Sequence, residues 1–200
     1  MSDITDISAL EALYGTPAEA SIIKVADHLT PLYAKWIRAS RFVVLTTVGP
    51  EGTDGSPRGD VGPVAHMHDA KTLLIPDWRG NNRMDSLRNI VRDGRVSLMF
   101  MVPGSNTVVR VNGQAVVSVD EGLLHQFEQK GAHPRSVIKI TVAEVYTQCA
   151  RALIRSELWA GSPKAPDLPT VGAFLAEAKE GYDGESYDAQ WAARAEKTMW

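Results

Sequence analysis

Residues 42–48 read Phe42-Val43-Val44-Leu45-Thr46-Thr47-Val48, a run rich in β-branched residues. The run stops at Gly49-Pro50-Glu51-Gly52, a cluster of residues that favour turns. Side chains branched at Cβ pack well on a pleated sheet, and a turn cluster at the end of such a run marks a strand boundary. This stretch therefore predicts a β-strand, and similar runs follow it along the chain.

Further runs of the same kind predict a β-rich domain. We expect additional strands at residues 57–67, 72–75, 96–102, 107–119 and 137–146. Helices are expected only twice between them. One runs from Arg83 to Arg92, and the other is capped by Asp120-Glu121-Gly122 and reaches about Lys130. Asn112-Gly113, inside the long fifth run, indicates a bulge or bend. Short spacings between strands favour a small antiparallel barrel over a doubly wound parallel sheet.

Helical segments are expected on both sides of this domain. Thr16-Pro17-Ala18-Glu19 combines an N-cap, a first-turn proline and a capping acid, and Pro31 begins another short helix. Residues 187–200 predict a terminal helix. The chain thus divides into an N-terminal helical extension (1–40), a barrel domain (41–160) and a C-terminal helical extension (161–200). The helical tryptophans are expected to pack on the barrel or on a second subunit; they are Trp36, Trp159, Trp191 and Trp200.

Composition excludes several classes of protein. The formal net charge is −3, which gives no electrostatic reason to expect a nucleic-acid partner. The only cysteine, Cys149, excludes an internal disulfide, fits a reducing compartment and is expected to be buried. The N-terminus lacks a signal pattern, and no apolar run approaches the roughly 20 residues that span a bilayer. We therefore expect a cytoplasmic protein without a membrane partner.

Two segments carry the candidate binding chemistry, namely Ser56-Pro57-Arg58-Gly59-Asp60 and Pro76-Asp77-Trp78-Arg79-Gly80-Asn81-Asn82-Arg83. The second opens directly into the helix expected at residues 83–92. A helix N-terminus offers free N–H groups and partial positive charge, so these amides together with Arg58 and Arg83 predict a phosphate site. Two alternatives remain open: Asn82 is an ordinary N-cap with Asp85 in the first helical turn, and Arg58 is a solvated strand residue.

Other kinds of site have weaker support. His66 and His68 point the same way on the predicted strand, but no third ligand lies at metal-binding spacing, so we expect no metal. No nucleophile-elbow, Walker or dinucleotide-binding motif is present. The segment at residues 148–159 carries Gln148 and two arginines, Arg151 and Arg155. It is either a charged helix face or a second group of polar side chains that reaches over a ligand.

The order of these motifs resembles that of a known family over about residues 40–160. The motifs are Ser-Pro-Arg on a strand, Gly-Asn-Asn-Arg at a helix start, Arg110-Val111-Asn112-Gly113 in a long strand, and Gln148 to Arg155 after the last strand. They resemble the pyridoxamine 5′-phosphate oxidase-like flavoproteins, which are built on the FMN-binding split barrel. The ending at residues 187–200 resembles a bacterial branch of that family. This resemblance implies a six-stranded Greek-key split barrel and a homodimer with two FMN molecules at the subunit interface.

The resemblance also implies roles for individual residues. Arg58 takes the place of the family's first phosphate-contacting arginine. The other implied cofactor contacts are Gly59, Asp60 and Val61 along the flavin ring, Pro76 and Asp77 on the isoalloxazine and ribityl side, Asn81, Asn82 and Arg83 in the phosphate grip, and Gln148 and Arg155 from the other subunit. No catalytic residue follows from the sequence, because in flavin enzymes the cofactor carries out the electron transfer.

Two departures from the family pattern bear on the substrate. The family's lysine five residues after the first arginine is Pro63 here, and its Arg-x-His pair is absent after Gln148. We therefore expect an FMN-dependent oxidoreductase that acts on a small molecule other than pyridoxamine phosphate. The alternatives are a non-catalytic protein of the same fold that binds or stores flavin or haem, and a purely structural dimerisation barrel.

Overall fold

A computed structural model describes residues 3–161 and 168–198, and within them the seven strands form one sheet. The strands are β1 (Phe42–Gly49), β2 (Gly52–Gly59), β3 (His66–Asp69), β4 (Thr72–Asp77), β5 (Arg95–Met101), β6 (Val108–Ser118) and β7 (Ser136–Gln148). Their order is β2-β1-β5-β6-β7-β4-β3, and every pairing is antiparallel. The mainly antiparallel β architecture with flanking helices is confirmed.

Helices precede, interrupt and follow the sheet. They are α1 (Ile7–Tyr14), α2 (Glu19–Ile23), α3 (Pro31–Ala39), α4 (Asp85–Arg92), α5 (Glu121–His125), α6 (Arg151–Arg155), α7 (Val171–Ala178), α8 (Gly184–Ala189) and α9 (Trp191–Thr198). In the described part of the chain, none of them is long and apolar enough to cross a membrane. The helix expected to run to Lys130 already ends at His125, although Asp120 caps it as predicted by accepting from the amide of Leu123.

The number of strands differs from the prediction, because the single strand expected at residues 57–67 is wrong. The chain instead forms β2 and β3, which lie at opposite edges of the sheet. The ladder between β1 and β2 ends at the pair Phe42 and Gly59, where β1 itself begins. Gly62-Pro63 then interrupts the run, since proline has no N–H to donate to a ladder. The sheet therefore has seven strands and not six.

The bulge predicted at Asn112-Gly113 is confirmed. The register between β6 and β7 shifts between these two residues. A Cβ atom at Gly113 would lie 2.1 Å from the carbonyl oxygen of Thr141, so only glycine fits without moving the backbone. The extra residue is Ala143 of β7, because Asn112 pairs with Glu144 and Gly113 pairs with Val142.

The core lies on one face of the sheet. On β1 the side chains of Val43, Leu45 and Thr47 are buried, whereas their neighbours are more exposed, as the period of a strand requires. The helices α3 and α4 cover this face through Ile37 and Ile90, which belong to the same core cluster. Fully burying such an aliphatic side chain stabilises the fold by roughly 1.5–3 kcal/mol.

The extensions contain both confirmed and corrected details. Thr16 does not cap α2, which begins after Ala18 without a side-chain cap. Trp36 packs against the core, the indole of Trp159 donates to the carbonyl of Ser105 at 2.8 Å, and Trp191 is 56% exposed. Trp200 lies outside the described residues. The terminal helix is interrupted at Gln190, which ends α8 before α9 begins.

The expectation of a buried thiol was wrong, because Cys149 is exposed.

Candidate functional site

Arg58 lies on the inner face of β2. Along this strand Asp54, Ser56 and Arg58 are half-buried while the residues between them are exposed, which is the alternation of a strand with one covered face. Arg58 pairs in register with Val43, whose side chain is in the core. The alternative of a solvated strand arginine is therefore wrong.

The Arg58 guanidinium forms an ion pair with Asp77 at the end of β4. Its Nη1 atom donates to Oδ1 of Asp77, and the two side chains are only 22% and 14% exposed. Its Nε atom is buried and has no hydrogen-bond partner among the described residues. Most buried donors in proteins are satisfied, so this free N–H is a feature to be explained.

The segment before α4 is shaped by two left-handed residues. Asn82 and Met84 both have φ of 61°, and the helix begins only at Asp85, with Met84 in the cap position and no side-chain cap. Asn82 is therefore not the N-cap, and the alternative that made it one is wrong. Its Oδ1 atom instead accepts from Nη1 of Arg135 at 2.8 Å. The first amides of α4 consequently have no side-chain acceptor.

Asn81 and Arg83 complete this segment. The Oδ1 atom of Asn81 accepts from the backbone amide of Arg83 at 3.0 Å, which closes a local turn. The Arg83 side chain is 78% exposed, and its Nε lies 2.5 Å from Oδ2 of Asp85. Such an exposed ion pair contributes little to stability, so the guanidinium is free to exchange partners.

These residues line two adjoining clefts. The first has a volume of about 490 Å³, and the predicted site residues on its wall are Arg58, Asp77, Asn81, Asn82 and Arg83. The second has a volume of about 390 Å³ and is lined by Arg58, Gly59, Asp60, Val61 and Pro76 among others. Both clefts share Pro57, Arg58, Trp78 and Gly80, so we describe them together as the groove.

The sequence-based list missed several groups in the first cleft. Arg135 and Asp54 both line it, and Oγ of Ser86 lies 2.5 Å from a carboxylate oxygen of Asp54. Arg135 reaches the cleft because β4 and β7 pair there, with its amide donating to the carbonyl of Asp77. This contact joins residues 58 positions apart in the chain, so no local sequence pattern predicts it.

Charge in the first cleft is balanced. Three arginines and three aspartates line it, namely Arg58, Arg83, Arg135, Asp54, Asp77 and Asp85. Asp77 and Asp85 are each paired with an arginine, and Asp54 accepts from Ser86. Binding of an anion there thus depends on the direction of individual N–H groups and on the N-terminus of α4 more than on net charge.

A second network of polar contacts borders the other cleft. Asp60 accepts from the indole Nε1 of Trp78 at 3.3 Å and from Nε2 of Gln129 at 3.0 Å. Nearby, the ring of His66 lies edge-on to Phe127 with centroids 4.9 Å apart. Burial lowers the pKa of His66, and the negative charge of Asp60 opposes that shift.

Gln148 and Arg155 do not line the groove. Gln148 ends β7 and pairs with Val108, and the same row of the sheet continues through Met101 and Phe42 to Gly59. It therefore lies at the far end of a row that begins beside the groove. Arg155 is exposed on the short helix α6. The structure does not bring these two residues together with the other nine predicted cofactor contacts.

Among the residues that the structure describes, no group of three or more histidine, cysteine or acidic side chains is placed to hold a metal ion. His66 and His68 lie on either side of a register shift in β3. The groove combines arginine, aspartate and asparagine side chains with the indole of Trp78.

Comparison with known proteins identifies the family. The sequence model of the pyridoxamine 5′-phosphate oxidase family matches residues 29–149, which is more than half of the chain. No curated protein matches the sequence.

Comparison with solved structures gives several partial matches. A variant of HupZ from Group A Streptococcus is 17% identical, with a TM-score of 0.51 over 60% of this chain and 99% of the other. An FMN-binding protein from Syntrophomonas wolfei is 10% identical, with a TM-score of 0.44 over 72% and 97% of the two chains. General Stress Protein 26 from Bacillus anthracis is 18% identical, with a TM-score of 0.43 over 56% and 88%. On the strength of the family match, this chain belongs to the pyridoxamine 5′-phosphate oxidase family.

Proposed function

We propose that the groove binds FMN, with the phosphate in the first cleft and the flavin ring in the second. The observation that carries this proposal is the buried Nε of Arg58, which has no partner among the described residues. A buried donor left without an acceptor costs roughly 1–3 kcal/mol. A phosphate oxygen in the first cleft would satisfy this donor after a small rotation of the Arg58 side chain, which lines that cleft, so the residues present fit the group.

Neighbouring groups support the same position for the phosphate. The amides that open α4 line the first cleft without a side-chain cap, and a helix N-terminus favours an anion. Arg83 is exposed and needs only to leave Asp85 to contact a phosphate. Asp77 and Asn82 hold the guanidinium groups of Arg58 and Arg135 in place. The grip is thus largely preformed, which reduces the entropy lost on binding.

The balanced charge of the cleft limits the strength of this grip. A phosphate dianion enters a cleft whose three carboxylates remain, and it gains mainly from directed N–H groups. We therefore expect the phosphate to improve binding by about tenfold over riboflavin, near 1.4 kcal/mol. A site with unpaired arginines would discriminate more strongly.

The second cleft suits the ring. Gly59 lines it without a side chain, so a planar ligand can approach the backbone at residues 59–61. Bound FMN supplies electron transfer, while the chain binds the cofactor, orients it and shapes the substrate pocket. Together with Pro63 and the missing Arg-x-His pair, this supports an oxidoreductase that acts on a small molecule other than pyridoxamine phosphate.

The outer face of the sheet supports a homodimer. Phe42 and Met99 are each 36% exposed there, and Val44 and Met101 lie beside them in the same register. Apolar side chains clustered on a sheet face favour burial against a second copy, and a two-fold axis would make that contact isologous. We propose that the partner subunit then brings Gln148 and Arg155 toward the groove.

Titration with FMN and anaerobic mixing with reduced nicotinamide test this function. We expect purified protein to bind FMN, and the bound flavin to be bleached by an electron donor. Binding without a response to any donor would favour the non-catalytic alternative. Protein that takes up no FMN would contradict both the enzyme and the non-catalytic flavin-binding protein, and would favour the purely structural dimerisation barrel.

A further inference from the structure

Trp78 stands where the two clefts meet. It lines both of them, together with Pro57, Arg58 and Gly80. On the protein side it packs against a small apolar cluster formed by Leu74, Phe127 and Val137. A large aromatic side chain thus lies at the junction of the two clefts, and its packing against this apolar cluster fixes its position.

The indole is also fixed through its N–H group. Its Nε1 donates to Oδ2 of Asp60 at 3.3 Å, and the same carboxylate accepts from the amide of Val61 at 2.7 Å and from Gln129. Gln129 belongs to a tight hairpin whose backbone closes onto Ala132 by two hydrogen bonds of 2.9 Å. Asp60 therefore joins its own segment to Trp78 and to the hairpin of Gln129. The carboxylate that accepts from the indole is fixed by its other two hydrogen bonds.

We infer that Trp78 is an aromatic contact for the ring system of the bound ligand and that Asp60 is its positioning residue. The ligand class is a planar, electron-poor heterocycle, which includes the isoalloxazine of flavin; this inference rests on the proposed function. An indole fixed by packing and by a hydrogen bond loses little freedom when a ring stacks on it. Its electron-rich ring also complements an electron-poor partner and quenches the fluorescence of a stacked flavin.

The role of Trp78 is separable from that of Arg58. A residue that contacts the ring affects riboflavin and FMN equally, because both carry the same isoalloxazine. A residue that contacts the phosphate affects only FMN. The ratio of the two dissociation constants therefore reports the phosphate contact, and a common shift of both reports the ring contact.

The test titrates riboflavin and FMN into the wild-type protein and into Trp78→Leu, Trp78→Phe, Asp60→Asn and Trp191→Phe. Flavin fluorescence and thermal unfolding are recorded for each. Trp191 is the matched control, because it is 56% exposed on α9 and lines neither cleft. We expect Trp78→Leu to weaken both flavins by about tenfold, in line with base–aromatic stacking energies, and to restore fluorescence to the fraction that still binds.

The conservative variants separate contact from folding. Trp78→Phe keeps an aromatic ring and should bind both flavins more tightly than Trp78→Leu. Asp60→Asn should leave the bound flavin brighter than in the wild type, because an indole that is no longer held stacks less completely. Trp191→Phe should match the wild type in both readouts.

Two outcomes overturn the inference, and they are distinguishable. If the wild type binds both flavins and Trp78→Leu and Trp78→Phe retain its affinity and quenching, Trp78 is not a ring contact although the proposed function stands. If the wild type binds neither flavin, the proposed function itself fails and the inference with it. Should Trp78→Leu not fold, the comparison of Trp78→Phe with the wild type decides. A bound flavin that is brighter in Trp78→Phe supports the inference, and unchanged quenching overturns it.

Discussion

Arg58 on β2 and Asp77 on β4 form an ion pair although four strands lie between β2 and β4 in the sheet. A flat sheet would hold these residues many ångströms apart, since neighbouring strands are spaced by about 4.8 Å. The pair therefore requires the sheet to curl until β2, at one edge, approaches β4, the strand next to the other edge. The groove lies where β2 and β4 approach each other, and its arginine is presented by β2 and oriented by Asp77 of β4.

The first prediction concerns the phosphate contact. Replacing Arg58 with lysine keeps the positive charge beside Asp77 but removes Nε and the planar fork. We expect FMN to bind about threefold more weakly, because the other N–H groups still contact its phosphate, and riboflavin to be unaffected, because it lacks the group that the fork recognises. Arg95→Lys is the matched control, since Arg95 pairs with Asp93 outside the groove. An equal loss for both flavins would contradict this role.

The second prediction concerns the stability of the ion pair. Asp77→Asn leaves a largely buried guanidinium without its counter-charge and should lower the free energy of unfolding by about 1–3 kcal/mol. Combining it with Arg58→Met should cost less than the sum of the two single changes, because the residues interact directly. Urea unfolding of the four proteins measures this coupling. Strict additivity would show that the contact has no energetic consequence.

The third prediction concerns the bulge between β6 and β7. Gly113→Ala would place a Cβ atom 2.1 Å from the carbonyl of Thr141, and the backbone must move to admit it. We expect a loss of about 2–4 kcal/mol in the free energy of unfolding, as for other severe steric conflicts in a core. Gly55→Ala is the control, because nothing lies within 4 Å of its Cβ position. Equal stability of the two variants would be inconsistent with the observed register.

The fourth prediction concerns pH. Burial lowers the pKa of His66 below that of an unfolded histidine, near 6.5. The unfolded chain therefore binds the proton more readily, and the free energy of unfolding should fall as the pH drops below about 6.5. Urea unfolding at about pH 7.5 and pH 5.5 measures the slope, which should be smaller in His66→Gln than in the wild type. His68→Gln, at an exposed position, is the control and should retain the wild-type slope.

The fifth prediction concerns assembly. Met99→Lys places a charge on the outer face of the sheet and should shift the protein from dimer to monomer in analytical ultracentrifugation, because burying an unpaired ammonium is costly. Val91→Lys is the control: Val91 is 76% exposed on α4, away from that face. A monomeric wild type would refute the proposed dimer, and a dimeric Met99→Lys would move its interface elsewhere.

Local sequence patterns predicted what depends on local physics. The β-branched run at residues 42–48, the bulge at Asn112-Gly113 and the cap at Asp120 all follow from preferences of a few adjacent residues. The strand expected at residues 57–67 was wrong because its division depends on where β1 begins and on which neighbour β3 pairs with. Local sequence patterns do not predict which strands pair when the strands are far apart in the chain.

The same distinction applies to the groove. Arg58 and the segment at residues 81–83 stood out because arginines and amides follow apolar runs, whereas Arg135 was missed because only the pairing of β4 with β7 brings it there. The start of α4 was expected two residues early, because Asn82 and Met84 are left-handed. Asparagine tolerates this conformation, whereas methionine rarely adopts it, so local propensity did not indicate the delayed helix start. Trp78 belongs to the motif at residues 76–83, but the sequence did not show its hydrogen bond to Asp60, on which its inferred role depends.

The central claim is that the buried Nε–H of Arg58 donates to the phosphate of FMN. Nuclear magnetic resonance of isotope-labelled protein follows this one proton directly, with Arg58→Lys used to assign its signal. We predict that FMN shifts the Arg58 Nε–H resonance and slows its exchange with water, whereas riboflavin leaves it nearly unchanged. A resonance that stays fixed while FMN saturates the protein would contradict the account.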